Sequence, residues 1–186
     1  MKIVSLDWET FYDSDYSLKK LSTSEYILDP RFKALGFAIS VDGAPAQWVN
    51  AEGVRPVLDR IGGQLRDCVL LAHHAHFDAA ILAWHFGIRC RGYLDTLSMA
   101  RAKGLQAEVG GSLKALCLHF GLGDKPDLRP DSTPEELRLR GTWDCDATYK
   151  LFKILAAGYP QKELLAISRT VEQYVQRKVI ADLNAL

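Results

Sequence analysis

Asp7 and Glu9 stand two residues apart in an otherwise largely apolar run, Ile-Val-Ser-Leu-Asp-Trp-Glu over residues 3–9. The run reads as a strand. Alternate strand side chains share a face, so both carboxylates point one way and Leu6 and Trp8 the other. About 6.7 Å separates them along such a strand, and like charges held that close resist burial. A multivalent cation over the face resolves the conflict. Asp78 follows the apolar run Val69-Leu70-Leu71-Ala72, at the start of a helix predicted over 77–86. Strand ends and helix N-termini collect ligands in α/β sheets, although the helix dipole alone also favours an acid there. Asp144 shares a helical stripe with Thr148, Leu151 and Leu155, the apolar and inward side. Its alternative is a buried carboxylate bonded to Thr148 or a backbone amide. Asp146 falls with Lys150 and Lys153 on the side predicted to face solvent. Asp7, Glu9, Asp78 and Asp144 form a hard oxygen set that suits Mg²⁺ or Mn²⁺ and not zinc. Two such ions about 4 Å apart would clamp a phosphodiester, one activating water and one stabilising the leaving oxygen.

The elements that must position these side chains alternate in type. Strands are predicted near 2–9 and 34–41, with Asp42-Gly43 as a hairpin turn into a returning strand at Gln47-Trp48-Val49. Residues 13–33 read as an irregular excursion. A helix over 54–66, a buried strand at 69–72, the helix over 77–86 and a short strand at 93–96 running into a helix at 96–103 follow. Ser112 caps a helix ending near Gly121, and residues 123–132 are a Pro/Asp-rich loop. Ser132 or Thr133 caps a long helix to about residue 157, broken by Gly158-Tyr159-Pro160 before a last amphipathic helix. The sum is an α/β layer structure whose mixed sheet begins with three antiparallel strands.

At 186 residues, 48% hydrophobic and 25% charged, the chain suits one globular domain or one domain with an appendage. Lys plus Arg equals Asp plus Glu, 23 each, so no global field draws a polyanion, and such a partner requires a local patch or a metal. The four cysteines are far apart with no CxxC pair, which reads as reduced and mostly buried thiols. No charged-then-apolar leader or 18-residue apolar run is seen, so a cytoplasmic protein without a membrane role is expected. His73, His74, His76 and His85 offer no i, i+4 pair with a third ligand, which argues against zinc.

Three segments carry a resemblance. Asp-Trp-Glu-Thr at 7–10, His73-His74-Ala75-His76-Phe77-Asp78, and Asp144-Cys145-Asp146-Ala147-Thr148-Tyr149 with Leu151 occur in this order. They resemble the three motifs of the 3′–5′ exonuclease domain of family A DNA polymerases, phage and bacterial ones above all, within the DEDD (DnaQ-like) exonuclease superfamily. Tyr26-Ile27, Asp29-Pro30, Phe32, Phe37-Ala38 and Leu94-Asp95-Thr96 add to the likeness, which covers about residues 2–155. The resemblance implies an RNase H-like fold with helices on both faces of the sheet. It implies two divalent ions, Mg²⁺ or Mn²⁺, and Asp7, Glu9, Asp78 and Asp144 as catalytic and metal-binding residues. The implied partner is a single-stranded DNA 3′ end, shortened to nucleoside monophosphates as in proofreading during replication, in host cytoplasm if the chain is from a phage. Residues 1–158 would be the exonuclease domain. Residues 159–186 would be a helical extension, leading to a polymerase domain or ending a stand-alone nuclease that meets a polymerase in trans.

Two positions depart from the family's pattern. The family places a Tyr four residues or a His five residues before the third-motif Asp, and here those positions hold Arg140 and Leu139. An arginine is not a base near neutral pH, so Arg140 is read as a partner for a phosphate or for Asp144. His74 replaces the usual Asn and keeps a donor. Thr10, His74 and Arg140 are thus the expected substrate-binding residues. The Arg140 departure motivates a second reading, a catalytically weak or silent module that binds a 3′ end or braces a polymerase. A third is an exonuclease acting on RNA or short oligonucleotides. Phe11, Tyr12, Tyr16, Lys19 and Lys20 could stack on and steer a strand, though a loop packing its own aromatics is slightly favoured.

Overall fold

The structure, a computed structural model, describes residues 1–126 and 132–176. The chain runs β1 (Ile3–Thr10), α1 (Thr23–Leu28), β2 (Ala34–Val41), β3 (Gln47–Asn50), α2 (Ala51–Leu65), β4 (Val69–Ala72), α3 (Ala75–Phe86) and β5 (Gly92–Asp95). It continues through α4 (Thr96–Ala102), α5 (Leu105–Val109), α6 (Leu113–His119), α7 (Pro134–Ala156) and α8 (Gln161–Gln176). The strands form one sheet in the order β3-β2-β1-β4-β5. β1 pairs antiparallel with β2, and β2 with β3, whereas β1–β4 and β4–β5 are parallel. This is the mixed sheet read from the sequence, antiparallel in its first three strands.

The two-residue period of β1 sorts its side chains onto two faces. Val4, Leu6 and Trp8 join Phe37, Leu58, Ile81 and Leu82 in one core, under α2, α3 and α8. The opposite face carries Ser5, Asp7 and Glu9 and lies under α7. The second core, Leu71, Met99, Leu116, Leu151 and Leu155, is on that side. Helices therefore cover both faces. α8 packs on β5 and α3, and Val171 and Val175 are buried in the first core. Among the described residues no helix is long and apolar enough to cross a membrane. The four cysteines are free thiols, three of them buried.

Close approach of α7 to the sheet depends on two glycines facing one tryptophan. The register Asp7–Ala38–Trp48 and Glu9–Gly36–Asn50 puts Trp48 and Gly36 on the carboxylate face. A Cβ on Gly36 would lie 2.3 Å from the Trp48 ring and 2.5 Å from the Val49 carbonyl, and one on Gly141 of α7 would lie 2.8 Å from the same ring. The backbone oxygen cannot yield as a side chain can. Gly36→Ala is expected to cost about 2 kcal/mol, read as a lower urea midpoint at unchanged slope.

The segment 13–33, read as irregular, contains α1. It is too short for periodicity to reveal, but Ser22 and Glu25 close a capping box at its start. α5 was also not foreseen, having five residues and none buried. α3 begins two residues before the predicted start. Residues 127–131 of the Pro/Asp-rich loop, and 177–186 of the proposed extension, lie outside the described residues.

Candidate metal centre and adjoining cleft

One oxygen from each of Asp7, Glu9 and Asp144 falls within 4.8 Å of the others. Three contacts hold α7 where Asp144 reaches β1. The Cys145 thiol faces the Ser5 carbonyl at 3.4 Å, the Asp146 carboxylate accepts from Ala46 N at 2.9 Å, and Gly141 abuts Trp48. Asp146, expected to be a solvated charge, is thus a half-buried tie to the β2–β3 loop; a backbone amide from a distant segment satisfies it, which helical spacing does not show. Asp144, Thr148, Leu151 and Leu155 are all buried, as their shared stripe predicted.

Asp78 stands outside the group of three. β4 pairs with β1 only at Ile3, Val4 and Ser5, so the β1 edge beyond is open. The Asp78 carboxylate accepts from Trp8 N there, at 3.2 Å. It remains close enough for its charge to act on Asp7. Asp95 anchors the start of α3: its buried carboxylate accepts from His74 N (2.8 Å), Leu97 N (3.1 Å) and the Ser98 hydroxyl (2.6 Å). His74 has φ 76, the left-handed region, which asparagine, with a short side chain that bonds its own backbone, visits more readily. His74→Asn is therefore expected to keep the fold and raise stability by about 0.5 kcal/mol, read by thermal melting.

Burial governs the electrostatics. Asp7 lies partly open to solvent, yet desolvation, then the charges of Asp144, Glu9 and Asp78, push its carboxyl well above the usual range. Glu9 is pushed up to about 7, by burial first, with Arg140 opposing. Asp78 is raised well above the usual range by burial, against the Trp8 amide, and Asp144 is raised by burial against Lys125 and Arg140. Among the described residues, two cations sit in the site. Lys125 Nζ is 2.5 Å from Asp144 Oδ2, and Arg140 Nε is 3.4 Å from Glu9 Oε1 and 3.6 Å from Asp144 Oδ2. The multivalent cation expected over this face is not the sole counter-charge these acids meet: Lys125 and Arg140 already balance part of the charge. Lys125 was missed because it comes from the loop, with no periodicity to aim it.

Oxygens around an octahedral ion at about 2.1 Å lie about 3 to 4.2 Å apart, so the three carboxylates need close by little to hold one. Asp144 Oδ1 is buried with no hydrogen-bond partner among the described residues, an orphan acceptor that a cation would satisfy. The donor set and the orphan oxygen fit a hard divalent ion.

Beside the triad opens a cleft of about 690 Å³, lined by Trp8, Glu9, Thr10, Tyr12, Leu18, Lys19, Lys20, Phe77 and Arg140 among others. Thr10 is fixed at 2.8 Å from the Tyr26 hydroxyl. Tyr16 is buried, stacked on Tyr26 at 4.3 Å, and Phe11 stacks on Tyr16, so these aromatics pack within their own loop. His74 does not line the cleft; its ring lies 6.1 Å from that of His76. Two of the histidines are engaged by other groups. His73 bridges Thr96 and the Gly111 carbonyl, and burial lowers it to about 4; a neutral ring then donates from Nε2 to that carbonyl. His85 donates to the Ile27 carbonyl.

Neither a protein-family model nor a curated protein matches the sequence. Solved structures do match in fold. Brucella melitensis NrnC with bound Mg²⁺ aligns at TM-score 0.69 and 18% identity, over 94% of this chain and 83% of that one. The family B DNA polymerase of Pyrobaculum calidifontis aligns at 0.62 and 14%, over 94% of this chain and 27% of the polymerase. The catalytic core of RRP6 from Trypanosoma brucei, mutant C496S, aligns at 0.59 and 15%, over 91% and 46%. The chain therefore has the RNase H-like α/β fold, a five-stranded mixed sheet between helices. At these identities the likeness is one of fold.

Proposed function

We propose that the chain is a divalent-metal-dependent 3′–5′ exonuclease that shortens single-stranded DNA to nucleoside monophosphates. The observation that carries this reading is the Asp7–Glu9–Asp144 cluster, whose Glu9 also lines the adjoining cleft. Those three carboxylates would hold Mg²⁺ or Mn²⁺, and Asp78, beside Asp7, would serve a second ion. Bound there, the metal would supply an activated water and a stabilised leaving oxygen. Thr10, held by Tyr26, would meet the terminal sugar. Arg140 would leave Glu9 and Asp144 for a phosphate, and the exposed Lys19 and Lys20 would attract the strand's backbone. His74 contributes through its backbone, bonded to Asp95, by placing α3 and with it Asp78. No side chain at position 139 or 140 can take a proton from water, so hydrolysis is expected to be slow.

Proofreading beside a polymerase, in cis beyond residues 159–186 or in trans, is the setting that the sequence resemblance favours. A second reading, an exonuclease of RNA or short oligonucleotides, is favoured by a fold neighbour, NrnC bound to pGG. One experiment separates the readings. The chain is incubated with 3′-labelled single-stranded DNA, matched RNA and a 5′-phosphorylated dinucleotide, in Mg²⁺ or Mn²⁺, with EDTA as control. Monophosphate release from DNA supports the first reading and preference for RNA or dinucleotide the second. Binding without turnover makes the chain a silent module.

A further inference from the structure

We infer that Lys125 and Arg140 are built-in competitors of the divalent ion, occupying its carboxylates and setting how tightly the site takes metal. The inference rests on the metal reading of the triad. Lys125 Nζ lies 2.5 Å from Asp144 Oδ2, and both side chains are largely withdrawn from solvent, 16% and 5% exposed. Arg140 reaches Glu9 and Asp144 from the other side, yet its Nε makes no aligned hydrogen bond, so the contact is one of charge and not of directed bonding. The same guanidinium donates from Nη1 to the carbonyl of Pro126 at 3.3 Å. Arg140 thereby holds the residue next to Lys125, and the two cations form one device. The positive field of Lys125 reaches Asp7, Glu9 and Asp144 alike.

Three ionised ligands carry three negative charges, and Lys125 and Arg140 return two positive ones. A divalent ion among the same oxygens must displace the ammonium or lie a few ångströms from it. Either course opposes binding, since like charges about 4 Å apart repel strongly where water is largely excluded. A lysine that only oriented Asp144 would act in the opposite sense: its loss would loosen the ligand and weaken metal binding.

Mn²⁺ titration of the intact chain without nucleic acid, by calorimetry or by loss of the free-ion spin-resonance signal, decides between these. Lys125→Gln is expected to bind Mn²⁺ about tenfold tighter or more, Arg140→Gln to shift the same way by a smaller factor, and Lys125→Arg to stay near the parent. Melting of each variant with EDTA verifies folding; should Lys125→Gln not fold without metal, Arg140→Gln carries the test. Unchanged or weaker binding in the glutamine variants, with the parent binding normally, would overturn the inference alone. Failure of parent and variants alike to bind Mn²⁺ would remove the metal reading and this inference with it.

Discussion

Asp7→Ala is expected to lower metal-dependent release of nucleotides by about 10³-fold or more, and to make the metal-free protein more stable. The two effects have one cause. Asp7 is the carboxylate on which Asp144, Glu9 and Asp78 all press, so on the proposed function it would be the shared ligand, and it is also the most repelled group. Removing it breaks the cluster of three that would hold the ion. It also relieves three like-charge interactions, by about 1 kcal/mol in total once water penetration is allowed for. In a domain of this size that corresponds to a melting point about 2–4 °C higher in EDTA at pH 8. Activity is read with 3′-labelled DNA. An Asp7→Ala protein with full activity would place the chemistry elsewhere, and one that melts lower would make Asp7 a structural residue. An ordinary buried acid engaged by hydrogen bonds would show the reverse stability change.

The second large effect is in pH. Glu9 rises from its unfolded value of 4.5 to about 7 in the folded chain. The folded state then binds the proton more tightly than the unfolded state. The associated stability is fully present below pH 4.5 and is lost as the pH climbs to 7. Over that window Glu9 alone amounts to about 3 kcal/mol. Asp7, Asp78 and Asp144 are also raised and act in the same direction. Metal-free protein is therefore expected to melt at clearly lower temperature at pH 7.5 than at pH 5. Saturating Mn²⁺ should remove that decline, since the ion binds the deprotonated carboxylates and stabilises the state that the pH rise weakens. Melting curves across pH 5–8, with and without Mn²⁺, test both halves. A metal-free melting point that rises over this range would contradict the raising of these acids by burial.

Much of the fold was legible because it repeats at short range. The strand at Ile3–Thr10 showed its two faces by alternation, and Asp42-Gly43 announced the hairpin. Asp144, Thr148, Leu151 and Leu155 declared the inner face of α7 through helical spacing. The resemblance of three ordered motifs added the fold's name. α1 and α5 escaped because six and five residues are too few for a period to stand out.

The candidate site divides along the same line. Sequence alone determined that Asp7 and Glu9 share a face, that Asp78 opens a helix behind a buried strand, and that Asp144 points inward, since each follows from the geometry of a single element. Tertiary structure decided the distances between elements: that Asp144 closes on Asp7 and Glu9 while Asp78 turns to the Trp8 amide, that Asp146 ties α7 to a loop, and that Lys125 enters from a segment with no regular spacing. Local periodicity fixes a side chain's direction, but only the packing of one element on another fixes what that side chain meets.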